Sequence, residues 1–433
     1  MSTWTRLRYR VFQLFLIALI VKNSFIIIFK YICTFALRDV SPKRKVSGRR
    51  KQYHWDYVCI SHFPWAKWWG RNQHTAWRFA EKSKVVYCTP LVPFYIFNHP
   101  ELLNKLGHKM LRPNLLVFNC PVLPGEGALP IMRKVNAIVL KAWLKYYMSL
   151  LGIDRPYVLW FYYPAQNDLA RMLDEDLTVY DIQDEYAAFG WTPDVESREV
   201  DLLLKANLVF TGTFALKEKK KVHASNIHFF SSGVDFKHFH ISAAGNSNFP
   251  HDLKGIPRPI LGYFGSIDTR LDGPLIQYLA SSRPGWSFVF LGPVHSSENL
   301  KPYFSSPNLF LLGTKEYGEL PNYLQAFDVC LMPFDLHKGT MDINPTKTLE
   351  YLAGAKPVVS TAIPDVVRFF EGVVQIAHTK EEFLMYCDRM VTRPPEEIIE
   401  KGLEMALNTS WDRIIEGMEN IIGENLKRKD TTV

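Results

Sequence analysis

The sequence predicts an α/β chain of two Rossmann-like domains facing one cleft, behind an apolar amino-terminal segment associated with a membrane. Three observations carry this prediction. From Tyr53 onward, short β-branched or aromatic runs alternate with amphipathic stretches, the pattern of doubly wound α/β domains. After a stretch at 243–259 holding Gly245, Pro250, Gly255, Pro257 and Pro259, the same rhythm starts again. Its 433 residues, 47% hydrophobic and 14% aromatic, suit two or three domains with real cores and exclude a disordered or collagen-like chain.

Residues 1–51 read as the membrane-association segment. They hold twelve Lys and Arg against one acid, Asp39, a charge of +11, which leaves −3 for the remainder of a chain whose net charge is +8. The body is therefore mildly acidic, and nucleic acid is not an expected partner. Two apolar runs, Val11–Val21 and Phe25–Leu37, flank Lys22-Asn23-Ser24. A continuous helix over Val11–Leu37 would span about 40 Å, enough for a bilayer core of about 30 Å. Lys22 near its middle would cost about 2.5–3.5 kcal/mol. Basic residues stand on both flanks, Arg6, Arg8 and Arg10 before and Lys43 to Lys51 after. Two basic flanks fit a re-entrant hairpin or an interfacial helix better than a clean span. Residues 7–37 are thus expected to touch the membrane, with the body on its cytoplasmic face. The six cysteines show no CxxC spacing and no zinc-type cluster, so buried free thiols are expected.

Residues 52–242 form the first Rossmann-like domain. Its strands are expected at Tyr57–Ser61, Lys84–Cys88, Leu115–Cys120, Tyr157–Phe161, Thr178–Ile182, Leu208–Thr211 and His228–Phe230, and its helices at Asn72–Lys82, Ile131–Leu151, Gln166–Leu173, Arg198–Ala206 and Ala215–Val222. Helix Ile131–Leu151 places Val135, Ile138, Ala142 and Trp143 on one face and Lys134, Lys141 and Lys145 on another, a pattern shared by membrane-surface helices and ordinary domain helices. Residues 243–259 read as the linker and 260–409 as the second domain. There strands are expected at Ile260–Phe264, Ser287–Leu291, Leu309–Leu312, Val329–Met332, Pro357–Ser360 and Val373–Ile376. Helices fall at Gly273–Ser281, Glu319–Ala326, Thr346–Ala353, Val366–Glu371 and Lys380–Val391. Residues 410–427 form a terminal helix.

Ligands of open α/β sheets sit beyond the carboxyl ends of the strands, where helix amino termini and loop amides receive anions. After Ile260–Phe264 comes Gly265-Ser266-Ile267-Asp268-Thr269-Arg270, where Gly265 lets backbone approach a phosphate and Arg270 can neutralise it. Neither GxGxxG nor a Walker A sequence occurs. Asp342-Ile343-Asn344-Pro345-Thr346-Lys347-Thr348-Leu349-Glu350 says more. Pro345 reads as the first helical residue and Asn344 as its cap. Lys347 in a first turn opposes the helix dipole, which an anionic ligand such as a diphosphate would explain. Glu350, one turn on, can accept from ribose hydroxyls, and Asp342 from sugar hydroxyls. On the other side of the cleft, His62, Arg71, His74 and Asp184 with Glu185 sit at or just after predicted strand ends. His74 and then Asp184 are the candidates for acceptor contact and proton transfer.

Asn344–Ser360 resembles the donor-site signature of bacterial group 1, family 4-like glycosyltransferases of the GT-B fold, a Pro-x-Lys-x-x-Glu-Tyr helix with two acids eight residues apart. Those acids map onto Asp342, where the usual pattern has Glu, and Glu350. Arg71-Asn72-Gln73-His74, Val179 to Glu185, Ser232-Gly233-Val234-Asp235, Gly262 to Asp268, Leu320-Pro321-x-Tyr323 and Ser410-Trp411-Asp412 extend the resemblance over most of Tyr57–Ile422. It implies a carboxyl-terminal donor domain for a nucleoside diphosphate sugar and an amino-terminal acceptor domain, with the terminal helix crossing back. It places diphosphate contacts on Gly265, Arg270 and Lys347, next to the cap amides already read at Asn344, the ribose contact on Glu350 and the nucleobase loop near Gly313–Lys315. It also implies no metal and no other cofactor. The predicted function is transfer of a sugar to a glycan. With a membrane anchor, the acceptor would be a lipid-linked oligosaccharide for surface polysaccharide. A sugar-nucleotide epimerase or hydrolase, or a non-catalytic scaffold, would share the same fold.

Overall fold

The computed structural model describes residues 54–65, 69–91, 107–122, 130–188, 194–240, 250–295, 301–337, 340 and 345–430. The segment 7–37 lies outside them. Among the described residues no helix is long and apolar enough to cross a membrane.

The first domain holds an eight-stranded sheet made of β1 (Asp56–Ile60), β2 (Val85–Leu91), β3 (Gly107–Arg112), β4 (Leu115–Pro121), β5 (Tyr157–Phe161), β6 (Leu177–Ile182), β7 (Leu208–Thr211) and β8 (Ile227–Phe229). The order is β3-β4-β2-β1-β5-β6-β7-β8. Every pairing is parallel except β3 with β4. Strands β1, β5, β6 and β7 are buried along their whole length, which explains continuous apolar runs such as Tyr157–Phe161. Helices α1 (Arg71–Lys82), α2 (Pro130–Leu151), α3 (Val195–Lys205) and α4 (Phe214–Lys220) link the strands.

A short helix, α5 (Phe236–Phe239), leads to the second domain. Its sheet contains β9 (Ile260–Phe264), β10 (Ser287–Leu291), β11 (Leu309–Leu311), β12 (Val329–Met332), β13 (Val358–Thr361) and β14 (Gln375–Ala377), ordered β11-β10-β9-β12-β13-β14 and all parallel. Around it stand α6 (Gly273–Ser282), α7 (Leu320–Ala326), α8 (Lys347–Ala353), α9 (Pro364–Phe370), α10 (Lys380–Thr392) and α11 (Glu396–Asn408). Close packing at the centre depends on Gly262, since a Cβ there would lie 2.1 Å from the Phe327 ring.

The last helix, α12 (Trp411–Asp430), returns to the first domain. Its Ile415, Met418 and Ile422 are buried with Tyr57, Phe79, Trp160 and Phe210 on one face of the eight-stranded sheet. The two passages between domains pair with each other: Val234 N–H donates to Thr409 O (3.1 Å) and Trp411 N–H to Val234 O (3.2 Å). Val234, Phe239 and Leu253 already belong to the second core. The chain therefore crosses ahead of the 243–259 stretch, because the crossing is held by backbone pairing and needs no Pro- or Gly-rich spacer.

Several local expectations change. Gln166–Leu173 is not a helix: a 3-10 turn at Pro164–Leu169 ends it, and Arg171 and Asp174 adopt positive φ. β3 and α11 were not expected. The face expected to unite Val135, Ile138, Ala142 and Trp143 is not the packed one, since α2 buries Ala137, Leu140, Leu144 and Tyr147 while Ile138 is exposed. The second-domain helix starts at Lys347, with Thr346 as its cap. Pro345 stays outside because its carbonyl accepts from Thr348 N–H (3.1 Å) in a tighter entry turn. Cys59, Cys88, Cys120, Cys330 and Cys387 are free and buried.

Candidate functional site

The donor-side residues gather at the carboxyl ends of β9 and β10. Gly265 N–H donates to Leu291 O (2.9 Å), and Gly292 N–H to Gly313 O (2.9 Å), so the three strand-end loops lean on one another. Gly265 (φ 152°) and Gly292 (φ 140°) are in conformations that disfavour side chains. A Cβ on Gly292 would meet Gly265 O at 1.9 Å, and one on Gly265 would lie 3.4 Å from Lys347 Cε. Gly265 and Lys347 are therefore brought together as expected from the sequence. Gly292 was missed, though Gly292-Pro293 directly after a buried strand was its signal.

Lys347, the first residue of α8, keeps its ammonium partly in solvent at 31% exposure, 3.9 Å from Glu350 Oε2. The Glu350 carboxyl is raised by burial, against the opposing pull of Lys347 and His238. Its buried Oε2 accepts no hydrogen bond among the described residues. A buried acceptor without a donor is costly unless a ligand hydroxyl completes it. His238 stacks on Tyr317, ring centroids 4.2 Å apart, and both rings couple electrostatically to Glu350. Neither residue was singled out from sequence.

Arg270 grips Asp268 through two hydrogen bonds, Nε to Oδ1 (2.9 Å) and Nη2 to Oδ2 (2.7 Å), and remains partly exposed. Burial raises the Asp268 carboxyl, but the Arg270 hydrogen bonds and charge outweigh it and hold it low. Asp184 of the first domain feels the same guanidinium: burial raises its carboxyl and the Arg270 charge opposes the rise. Arg270 and Asp184 thus meet electrostatically across the cleft. Asp342 and Asn344 lie outside the described residues.

Other candidates have structural partners. Lys315 donates to Asp252 Oδ2 (2.6 Å), and the Tyr323 hydroxyl donates to the same carboxylate, so the Lys315 charge is compensated within the second domain. Gly313 does stay at those loops. Arg71 is buried, and its guanidinium donates to both Asp181 oxygens (2.8–3.0 Å) and to the carbonyls of Phe230 and Ser231 (2.8 and 3.1 Å). It clamps α1 to the ends of β6 and β8 and does not project as a free cation toward an acceptor. Glu185 pairs with Lys220 at 2.8 Å.

His74, in the first turn of α1, is buried between domains. Its ring stacks on Trp411 (4.9 Å, 17°) and meets the edge of Tyr317 (6.3 Å), while Nδ1 lies 3.2 Å from Arg78 Nη1. Burial first, then the charges of Arg78 and His238, push its pKa down to about 3. The neutral ring is a contact between α1, α12 and the second domain, with the proton affinity of a very weak base. His62 stacks on Tyr163 (4.6 Å) and is likewise held near 3 by burial. Among the described residues no group of three or more His, Cys, Asp or Glu could hold a metal ion.

No family model matches the chain. It is similar to "Putative teichuronic acid biosynthesis glycosyltransferase TuaH" of Bacillus subtilis (strain 168), 25% identical over 281 residues, covering 59% of this chain and 68% of that one. Among solved structures it superposes on sucrose-phosphate synthase from Thermosynechococcus elongatus with TM-score 0.64 at 14% identity, covering 86% of this chain and 99% of that one. HepE of Anabaena, in complex with UDP and glucose, gives TM-score 0.63 at 12% identity, covering 86% and 100%. The E. coli trehalose-6-phosphate structure bound with UDP-2-fluoro glucose gives 0.63 at 11%, covering 85% and 99%. Two sheets, parallel but for the β3 edge, joined by paired crossings, a last helix returned to the first domain, and these relatives agree: the chain has the GT-B fold and resembles the glycosyltransferases built on it.

Proposed function

We infer that the chain transfers a sugar from a nucleoside diphosphate sugar, with uridine diphosphate as the leaving group, to a glycan acceptor. The observation that carries this is Lys347 set against the bare backbone of Gly265, beside a buried Glu350 oxygen with no donor among the described residues. Loop amides, the Lys347 ammonium and the start of α8 supply preorganised positive charge for a departing diphosphate, and Glu350 supplies the acceptor for ribose hydroxyls. UDP is favoured because HepE and the trehalose-6-phosphate protein bind UDP or a UDP sugar in their solved structures. The TuaH name supports a cell-envelope polymer as product. Residues 7–37 attach the enzyme to the cytoplasmic face of the membrane, where a lipid-linked oligosaccharide acceptor diffuses, and the reaction needs no metal.

Calorimetric titration with UDP tests the donor site. Lys347→Ala is expected to weaken UDP binding by about 1.5–3 kcal/mol, roughly 10- to 150-fold, the worth of a charge-assisted hydrogen bond. Absence of UDP affinity in the parent protein refutes the donor reading. Sugar released free or epimerised, with none on a lipid-linked acceptor, refutes transfer.

A further inference from the structure

The outward face of α2 is unlike that of a domain helix in water. A helix packed on a sheet normally turns charged and polar side chains outward. Here Ile131 is 61% exposed, Ile138 60% and Tyr146 44%, with Ala142 exposed between them. At 100° per residue these four fall within an arc of about 80° opposite the packed face. Lys134 and Lys145, both exposed, border one side of that arc. Lys145 is 3.9 Å from the exposed Asp174.

The position of the helix gives this face a direction. α2 ends at Leu151, and the next carbonyl, Gly152 O, accepts from Lys84 Nζ. Lys84 N–H donates to Asp56 Oδ1 (2.8 Å), and Asp56 N–H donates to Pro156 O (3.1 Å). That is where the amino-terminal 53 residues, with their two apolar runs and basic flanks, join the fold. The other end of α2 follows β4, at the carboxyl ends of the strands, the edge that carries Arg71 and Asp184. Twenty-two residues span about 33 Å. The exposed apolar stripe therefore runs from the end of the sheet where His54 and Asp56 enter the fold to the strand ends that carry Arg71 and Asp184.

We propose that the outward face of α2 lies in the headgroup region of an anionic bilayer, with Ile131, Ile138 and Tyr146 inserted and Lys134 and Lys145 against lipid phosphates. Docking along this line lays the first domain flat and brings the cleft mouth to the lipid surface. An apolar stripe with basic borders is the combination that binds anionic interfaces. The proposal rests on the membrane attachment of residues 7–37 and adds a second, separate contact.

The test uses the full chain with Cys33→Ser and a nitroxide or polarity-sensitive label on Ile138→Cys or on the control Lys401→Cys. Cys59, Cys88, Cys120, Cys330 and Cys387 are buried, and Lys401 is exposed on α11. The protein is floated with phosphatidylethanolamine–phosphatidylglycerol vesicles. The expected result is loss of aqueous quencher access at 138 and unchanged access at 401, with the protection at 138 abolished by Lys134→Glu/Lys145→Glu. Flotation with 138 still open to the quencher overturns the docking face while leaving the anchor standing. No flotation overturns both. Protection at 138 without vesicles, growing with protein concentration, assigns the face to a second copy of the chain and overturns a lipid occupant. UDP binding by the same samples reports on the donor site independently.

Discussion

Acidification should attack this protein through two imidazoles it keeps dry. His74 has a folded pKa of about 3 against an ordinary 6.5. Between these values the unfolded chain holds a proton that the folded chain rejects, so folding stability rises with pH and is lost as pH falls through 6.5 toward 3. At pH 5 the lost increment is about 2 kcal/mol for His74, and His62, shifted equally by burial, loses about as much. Buried carboxyls such as Glu350 and Asp184 are raised and work in the opposite direction, so the measurement must be a difference between proteins at the same pH. His74→Phe keeps a ring on Trp411 and removes the titration. In urea unfolding followed by tryptophan fluorescence, the parent should lose about 2 kcal/mol more than His74→Phe between pH 7 and pH 5. Equal losses would mean that His74 is hydrated or protonated in the folded protein, and the dry-imidazole reasoning falls.

Three further substitutions test other parts of the structure. Arg71→Met should cost about 3–5 kcal/mol in urea unfolding because it strands the buried Asp181. Adding Asp181→Leu should recover part of this, with the rest withheld by the orphaned carbonyls of Phe230 and Ser231. Gly262→Ala forces a methyl into the Phe327 ring and should lower stability by about 1–3 kcal/mol, with partial rescue by Phe327→Leu in thermal melts. Gly292→Ala should push the Gly265 loop and weaken UDP binding, whereas Gly285→Ala, with open space around its Cβ, should leave binding unchanged in the same titration.

The strands were legible because burial on both faces writes them as unbroken apolar runs such as Ile260–Phe264 and Ser287–Leu291. β3, Gly-His-Lys-Met-Leu-Arg, is a partly exposed edge strand without such a run and leaves no comparable mark. α11 follows Pro394-Pro395, a pair that reads as a stop but here only precedes the first helical turn. The motif residues Gly265, Lys347 and Glu350 were legible because they lie on one strand end and one helix start. What sequence spacing hides is who holds whom. Arg71 is 110 positions from Asp181, Lys315 is 63 from Asp252, and His74 stacks on a tryptophan from the last helix. Each was a free polar group on paper and found its partner only through the fold.

The return of α12 has a consequence for the order of assembly. On the ribosome, domains usually close as they emerge, the earlier one first. Here the apolar surface formed by Tyr57, Trp160 and Phe210 of the sheet and Phe79 of α1 waits for Ile415, Met418 and Ile422, which are synthesised only after the whole second domain. A nascent first domain must therefore carry an incompletely covered apolar surface until α12 is made. Chaperone demand and aggregation of stalled or shortened chains should centre on that surface.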